Sequence, residues 1–277
     1  MKRWLVSLLL LTLFAAADSC AQGGSPGAAG APRDTTRTGW RFVYIVRHGW
    51  YDADDPRDER VGKGLDSLGH AQARLIGARL AGMPIHVDRL VSSTFTRAAQ
   101  TADDIGLALH MTPVRDSDLC ECTPNANRPD YMRNTTPAEV AACEASLERV
   151  MARYFVPAGG REDKHDVLVA HGNVSRWLLC RILKIETTRW PDFNIGNGSI
   201  TAYAVRPDGT VLLSSWSDTG HLPPAAQTWT GRGAGWSPPP PRRSGAASAV
   251  MAPHGGVVAP APEATRDTLR YSRPTHR

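Results

Sequence analysis

Short uncharged apolar runs alternate with stretches of helical spacing along this chain. Phe42-Val43-Tyr44-Ile45-Val46 is one such run, and it predicts a strand from Arg41 to Val46, ending at Arg47-His48-Gly49. From Ser67 to Leu80 the apolar positions Leu68, Ala71, Leu75, Ile76, Ala78 and Leu80 fall at helical spacing. A short strand is expected at Arg89-Leu90-Val91-Ser92 and a helix from Thr96 to Leu107. Thr136-Pro137-Ala138-Glu139 is a helix start: a Thr cap, Pro at the first position and Glu three residues after the cap. That helix is expected to reach about Tyr154, before Pro157. Val167 to Ala170 reads as a continuous apolar strand and Val174 to Leu183 as a helix. Ser199 to Val205 and Val211 to Trp216 flank Pro207-Asp208-Gly209, a hairpin turn. Strands alternating with helices place the chain in the α/β class. The expected architecture is a three-layer α/β/α sandwich with a mostly parallel central sheet, and the terminal hairpin adds an antiparallel edge strand.

Neither end carries this pattern. Lys2 and Arg3 precede an apolar run from Trp4 to Ala17, and small residues follow at Ser19-Cys20-Ala21, so residues 1–22 read as an export signal. The run is shorter than the ~20 residues of a spanning helix. An exported protein, periplasmic or secreted, is the resulting expectation. Its alternatives are a lipidated Cys20 and a membrane anchor formed by residues 4–17. Residues 23–38, rich in Gly, Ala, Pro and Ser, read as a flexible linker. The folded domain is expected over 39–224, and a Pro/Arg-rich tail over 225–277. The tail lacks apolar periodicity and cannot bury enough surface to offset its ordering entropy.

The tail also explains the charge. From Pro223 onward there are seven arginines and two acids, a net +5 that equals the formal net charge of the whole 277-residue chain. The basic balance therefore says nothing about the core, and no nucleic-acid partner follows from it. A weak contact between the tail and an anionic surface is the one partner the composition suggests. Of five cysteines, Cys20 falls in the signal region, and Cys120, Cys122, Cys143 and Cys180 fall in the body. An oxidising compartment permits disulfides among them, but sequence does not give the pairing. Cys120-Glu121-Cys122 lacks a second ligand pair at zinc-type spacing, so no metal and no other cofactor is expected.

The candidate chemistry sits at strand ends. His48 and His171 each follow an apolar run, at the sheet edge where open α/β folds bind ligands. Breaking a phosphoester through a histidine needs a neutral imidazole to attack phosphorus. It also needs cations to hold the phosphoryl oxygens and a proton donor for the leaving oxygen. His48 is the candidate nucleophile. Arg47 supplies a guanidinium fork that Lys cannot reproduce. Arg97, at a helix start after Ser92-Ser93-Thr94-Phe95-Thr96, supplies a second cation, and His171 a further group to the same phosphate. Glu121 is the candidate general acid. The other seven histidines read as core or surface residues.

At these residues the sequence resembles a known family. Arg47-His48-Gly49 resembles the signature of the histidine phosphatase, or phosphoglycerate-mutase-like, superfamily. Leu65-Asp66-Ser67-Leu68-Gly69-His70-Ala71-Gln72-Ala73 resembles its first helix entry, and Ser92 to Ala102 its second phosphate-pocket motif. Val169-Ala170-His171-Gly172-Asn173-Val174-Ser175-Arg176-Trp177, Asn197-Gly198-Ser199-Ile200-Thr201 and Asp218 to Pro224 are similar to the mitochondrial serine/threonine-protein phosphatases of the phosphoglycerate mutase family. The resemblance implies His48 as phosphate acceptor, Arg47, Arg97 and His171 as phosphate pocket, and Glu121 as proton donor. Two departures stand out. Cys122 occupies a position where those relatives have glycine. Trp50-Tyr51-Asp52 replaces the Glu-Ser-x-x-Asn of true mutases.

The expected function is a metal-independent phosphomonoesterase that forms a phosphohistidine. Its substrate is a phosphorylated protein, including phosphoserine and phosphothreonine, or a small phosphoester. The alternatives are a phosphate-pocket interaction module with little catalysis, and a phosphoglycerate mutase.

Overall fold

The computed structural model describes residues 38–51 and 62–229, all within one compact unit. The expected export signal, the linker up to residue 37 and the chain beyond Trp229 lie outside them, as do Cys20, Asp52, His254 and His276. In chain order the elements are β1 (Arg41–Arg47), α1 (Ser67–Ala81), β2 (Arg89–Ser92), α2 (Thr96–Leu109), β3 (Val114–Arg115), α3 (Pro129–Met132), α4 (Pro137–Tyr154), β4 (Lys164–Ala170), α5 (Gly172–Ile182), β5 (Ile200–Val205) and β6 (Val211–Asp218). The six strands form one sheet in the order β3-β2-β4-β1-β5-β6. Neighbours from β3 to β1 are parallel, and β5 pairs antiparallel with both β1 and β6.

Successive strand residues point to opposite faces, and both faces of this sheet are covered. Val43, Ile45, Leu168 and Ala170 pack beneath α4 and α5, against Leu147, Val150, Trp177 and Leu178. Tyr44, Val46, Val167 and Val169 pack beneath α1 and α2, against Ile76, Leu80, Ala102 and Ile105. The uncharged strand runs follow from this two-sided burial, and the sandwich has the three layers expected.

Two helix starts carry side-chain caps, the second at the Thr136 start read from the sequence. Asp66 accepts from the Gly69 amide at 2.8 Å to begin α1. Thr136 and Glu139 form a complete capping box ahead of α4. Each such cap contributes about 1 kcal/mol.

β4 begins three residues before the apolar run. Lys164, His165 and Asp166 pair with Arg41, Phe42 and Val43 of β1, and their polar groups are matched. The fully buried Asp166 carboxylate takes Arg41 from β1 at 2.5 Å and Arg89 from β2 at 2.6 and 2.7 Å. Polar residues at that end kept the strand out of the hydrophobic pattern, while their pairing keeps it in the sheet. The expected domain boundary at residue 224 also needs correction. Residues 225–229 remain bound to the body: Gln72 Nε2 donates to the Ala226 carbonyl at 2.7 Å, and Trp229 forms an antiparallel bridge with Gly196.

Cys122 and Cys143 are joined in a disulfide, while Cys120 and the buried Cys180 are free. The bridge ties the segment after β3 to α4. Cys143→Ser opens a loop of sequence separation 21 and is expected to cost about 3 kcal/mol of stability. The check is a lower urea midpoint than that of the oxidised parent, and an unchanged midpoint would refute the clasp.

Candidate active site

Strand register assembles the site. In the β1–β4 pair Arg47 lies opposite Ala170, so the next residues, His48 and His171, leave the sheet side by side. Their ring centroids are 5.1 Å apart. β2 ends with Ser92 opposite Val169, which brings Ser93 and the start of α2 to the same edge. Gly49 continues β1 into a close crossing with α1. A Cβ there would lie 2.6 Å from the Gly69 carbonyl oxygen, so only glycine fits. Thr101 receives the Gly49 amide at 3.0 Å and in turn donates to the Arg97 carbonyl at 2.7 Å.

His48 is buried, and its Nδ1 lies 2.8 Å from its neighbour's carbonyl oxygen, on Gly49. A carbonyl only accepts, so Nδ1 carries the hydrogen and Nε2 keeps its lone pair. Arg97 Nε donates to that Nε2 at 3.3 Å. Burial, then the Arg47 and Arg97 charges, hold the His48 pKa well below the usual histidine value. His171 is lowered for the same reasons, burial first, then His48, Arg97 and Arg47. Its Nε2 meets Ser93 Oγ at 2.8 Å, and its buried Nδ1 has no hydrogen-bond partner among the described residues. Both imidazoles are thus neutral, as a nucleophile and a hydrogen-bond donor require.

Cations surround them. Arg47 is buried and donates to the Ile195 carbonyl at 2.6 Å. Burial, with Arg176 nearby, pulls its pKa down to about 10, so it stays charged at neutral pH. Arg97 is buried with its guanidinium over the Tyr51 and Phe95 rings, at 5.1 and 5.4 Å, which fixes its direction. Glu121 lies in the segment after the turn Ser117–Leu119. The residue is half-buried, and burial raises its pKa against the pull of Arg97, Arg176 and Arg47. The structure therefore brings all five expected residues, Arg47, His48, Arg97, Glu121 and His171, to one sheet edge. What they form is a buried, cationic cradle around a neutral imidazole and a carboxyl whose pKa is raised. Such a cradle can take a phosphoryl group.

Several participants were not anticipated. Arg176 from α5 stands beside Arg47, and both guanidiniums crowd Gly172. A Cβ on Gly172 would lie 3.2 Å from Arg176 and 3.4 Å from Arg47, so the glycine lets two cations approach. Arg176 lies in the first turns of a helix behind a strand-end histidine, the same placement that singled out Arg97. Gln72 accepts from the Trp50 amide at 2.7 Å, and Asn197 donates to the His48 carbonyl at 3.5 Å. Among the remaining histidines, His70 pairs with Asp104 at 2.7 Å and His165 stacks on Phe42. No group of three or more His, Cys, Asp or Glu among the described residues could hold a metal ion.

Comparison with known proteins agrees with this geometry. Residues 43–219 match the family model of the histidine phosphatase superfamily (branch 1). The serine/threonine-protein phosphatase Pgam5, mitochondrial, of Caenorhabditis briggsae is 35% identical over 202 residues, 70% of this chain and 68% of the relative. The Homo sapiens protein of the same name is 33% identical over 188 residues, 66% of this chain and 64% of the relative. The chain thus spans about two thirds of the length of these relatives. Among solved structures, an Entamoeba histolytica phosphoserine phosphatase in complex with 3-phosphoglyceric acid superposes with TM-score 0.52 at 20% identity, over 66% of this chain and 99% of its own. A putative α-ribazole-5′-phosphate phosphatase from Escherichia coli K-12 gives TM-score 0.52 at 18% identity, over 64% and 96%. These two show the fold.

The relatives correct one expectation. Both sequence relatives are named mitochondrial, which overturns the exported, periplasmic or secreted location read from residues 1–22. Basic residues ahead of an apolar run describe many membrane-engaging leader segments, and that pattern does not separate one compartment from another. In the body of the chain, the strand-end site and the similarity over most of the domain agree: the chain belongs to the histidine phosphatase superfamily, branch 1.

Proposed function

We propose that this protein is a metal-independent phosphomonoesterase that works through a phosphohistidine on His48. It acts on phosphoserine and phosphothreonine in proteins, and resides with the mitochondrial phosphatases it resembles. One observation supports this most: His48 Nδ1 is tied to a carbonyl, so Nε2 presents its lone pair among cations. In the first step Nε2 attacks phosphorus, the P–O bond to the leaving oxygen breaks, and the Glu121 carboxyl gives that oxygen its proton. Arg47, Arg97 and His171 hold the three phosphoryl oxygens, whose charge is spread in the transition state. In the second step the Glu121 carboxylate takes a proton from water as the water oxygen attacks phosphorus. The P–N bond breaks, and His48 returns to its neutral form with inorganic phosphate as product.

The preference for proteins rests on likeness to relatives named as serine/threonine-protein phosphatases. A panel of phosphoserine and phosphothreonine peptides against small phosphoesters tests it. Interconversion of the two monophosphoglycerates tests the mutase alternative. The full set of cations, nucleophile and acid argues against an interaction module without turnover.

His48→Ala is expected to lower turnover of an aryl phosphate by more than about 10³-fold. It also removes the acid-labile, alkali-stable phosphoenzyme label, and retained turnover overturns the nucleophile assignment. The pH dependence follows from the two shifts. His48 must be neutral, so activity falls as pH drops through its lowered pKa. Glu121 must carry a proton, so activity falls as pH rises through its raised pKa. The expected profile of kcat/KM for a phosphoserine peptide, whose alkoxide needs the acid, is a bell whose alkaline limb lies above the ordinary carboxylate range, and Glu121→Gln removes that limb. A Glu121→Gln profile that keeps it would exclude Glu121 as the acid.

A further inference from the structure

Asn173, in the first turn of α5, grips the segment that carries the acid at two points. Its backbone N–H donates to Glu121 Oε1 at 3.1 Å, and its side-chain Nδ2 donates to the Cys122 carbonyl at 3.0 Å. One residue thus holds both the carboxyl of Glu121 and the peptide that follows it. The amide orientation is dictated by a third partner. Arg176 donates to Asn173 Oδ1 at 3.2 Å, and a guanidinium only donates, so the oxygen must face Arg176 and the nitrogen must face Cys122.

Arg176 is itself braced. Its Nε donates to the Gly172 carbonyl at 3.1 Å, and its guanidinium lies over Trp190 at 5.0 Å. Trp190 Nε1 donates to the carbonyls of Pro124 and Asn125 at 3.3 and 3.1 Å, binding the far side of the same segment. The Cys122–Cys143 bridge is a further anchor. From Glu121 to Asn125 the backbone is therefore hung on α5 and on Trp190.

We infer that Asn173 is a positioning residue for the general acid, with Arg176 as the group that orients its amide. This rests on the reading of Glu121 as proton donor. When the Asn173 N–H binds Oε1, the proton of a neutral Glu121 sits on Oε2, the oxygen left to meet the leaving group. Losing the side-chain bond to Cys122 frees the segment while the backbone N–H remains, so Glu121 is present but no longer aimed. Misplacement on the ångström scale is enough to slow a proton transfer severely.

The distinguishing readout is leaving-group dependence. An alkoxide leaves poorly and needs the acid, whereas a nitrophenolate leaves without it. kcat/KM is the parameter to follow, because it reports steps up to release of the leaving group and excludes the later hydrolysis, which also uses Glu121. Asn173→Ala is expected to lower kcat/KM for a phosphoserine peptide by at least about tenfold and for p-nitrophenyl phosphate by less than about threefold. Asn173→Asp, nearly isosteric but unable to donate to Cys122, is expected to show the same selective loss. An equal loss on both substrates, or no loss on either, overturns the inference. Glu121→Gln run on the same pair separates the causes. Selective loss there with none in the Asn173 variants rejects the positioning role alone, and an absence of selectivity in Glu121→Gln rejects the acid assignment beneath it.

Discussion

Everything at this site depends on the parallel pairing of β1 with β4. Because Arg47 is aligned with Ala170, two histidines 123 positions apart leave the sheet at the same level, with ring centroids 5.1 Å apart. Shifting that register by one residue would turn the core faces of both strands toward the wrong layer. The pairing is secured at its other end by charge. The buried Asp166 of β4 binds arginines from both flanking strands, so the three central strands are locked together away from the chemistry.

Burial then does the electrostatic work. Placing two guanidiniums, Arg47 and Arg97, around two buried imidazoles favours the neutral imidazoles, because a proton on either would meet both desolvation and like charge. Burial also raises the Glu121 pKa even though cations pull the other way. His48 and Glu121 thus have their pKa values pushed in opposite directions by one environment. The cost is a cluster of like charges that a phosphate dianion relieves when it binds.

The elements most legible in the sequence were those whose reason is local. β1 and β4 are buried on both faces, so they announce themselves as apolar runs, and a Thr-Pro-x-Glu start needs only four residues to read. His48, His171 and Arg97 could be singled out because each follows a strand. Asn173 and Gln72 were not legible, since the contacts that matter, from Asn173 to Glu121 and Cys122 and from Gln72 to Trp50 and Ala226, exist only after folding. The Cys122–Cys143 pairing was hidden for the same reason, with four body cysteines and no local rule to choose among them. The two residues of β3 are too few to carry a period, and the leader pattern of residues 1–22 is common to different compartments.

Gln72 has a broader consequence. Its amide oxygen receives the Trp50 N–H, two positions beyond the nucleophile, while its nitrogen binds Ala226 and Thr228 at the far end of the folded body. A single side chain is thus a crosspiece between the exit of β1 and the turn at residues 226–228. Both segments lose a hydrogen-bond partner when Gln72 is replaced by an apolar residue, so the exit of β1 and the turn at residues 226–228, far apart in sequence, share one support.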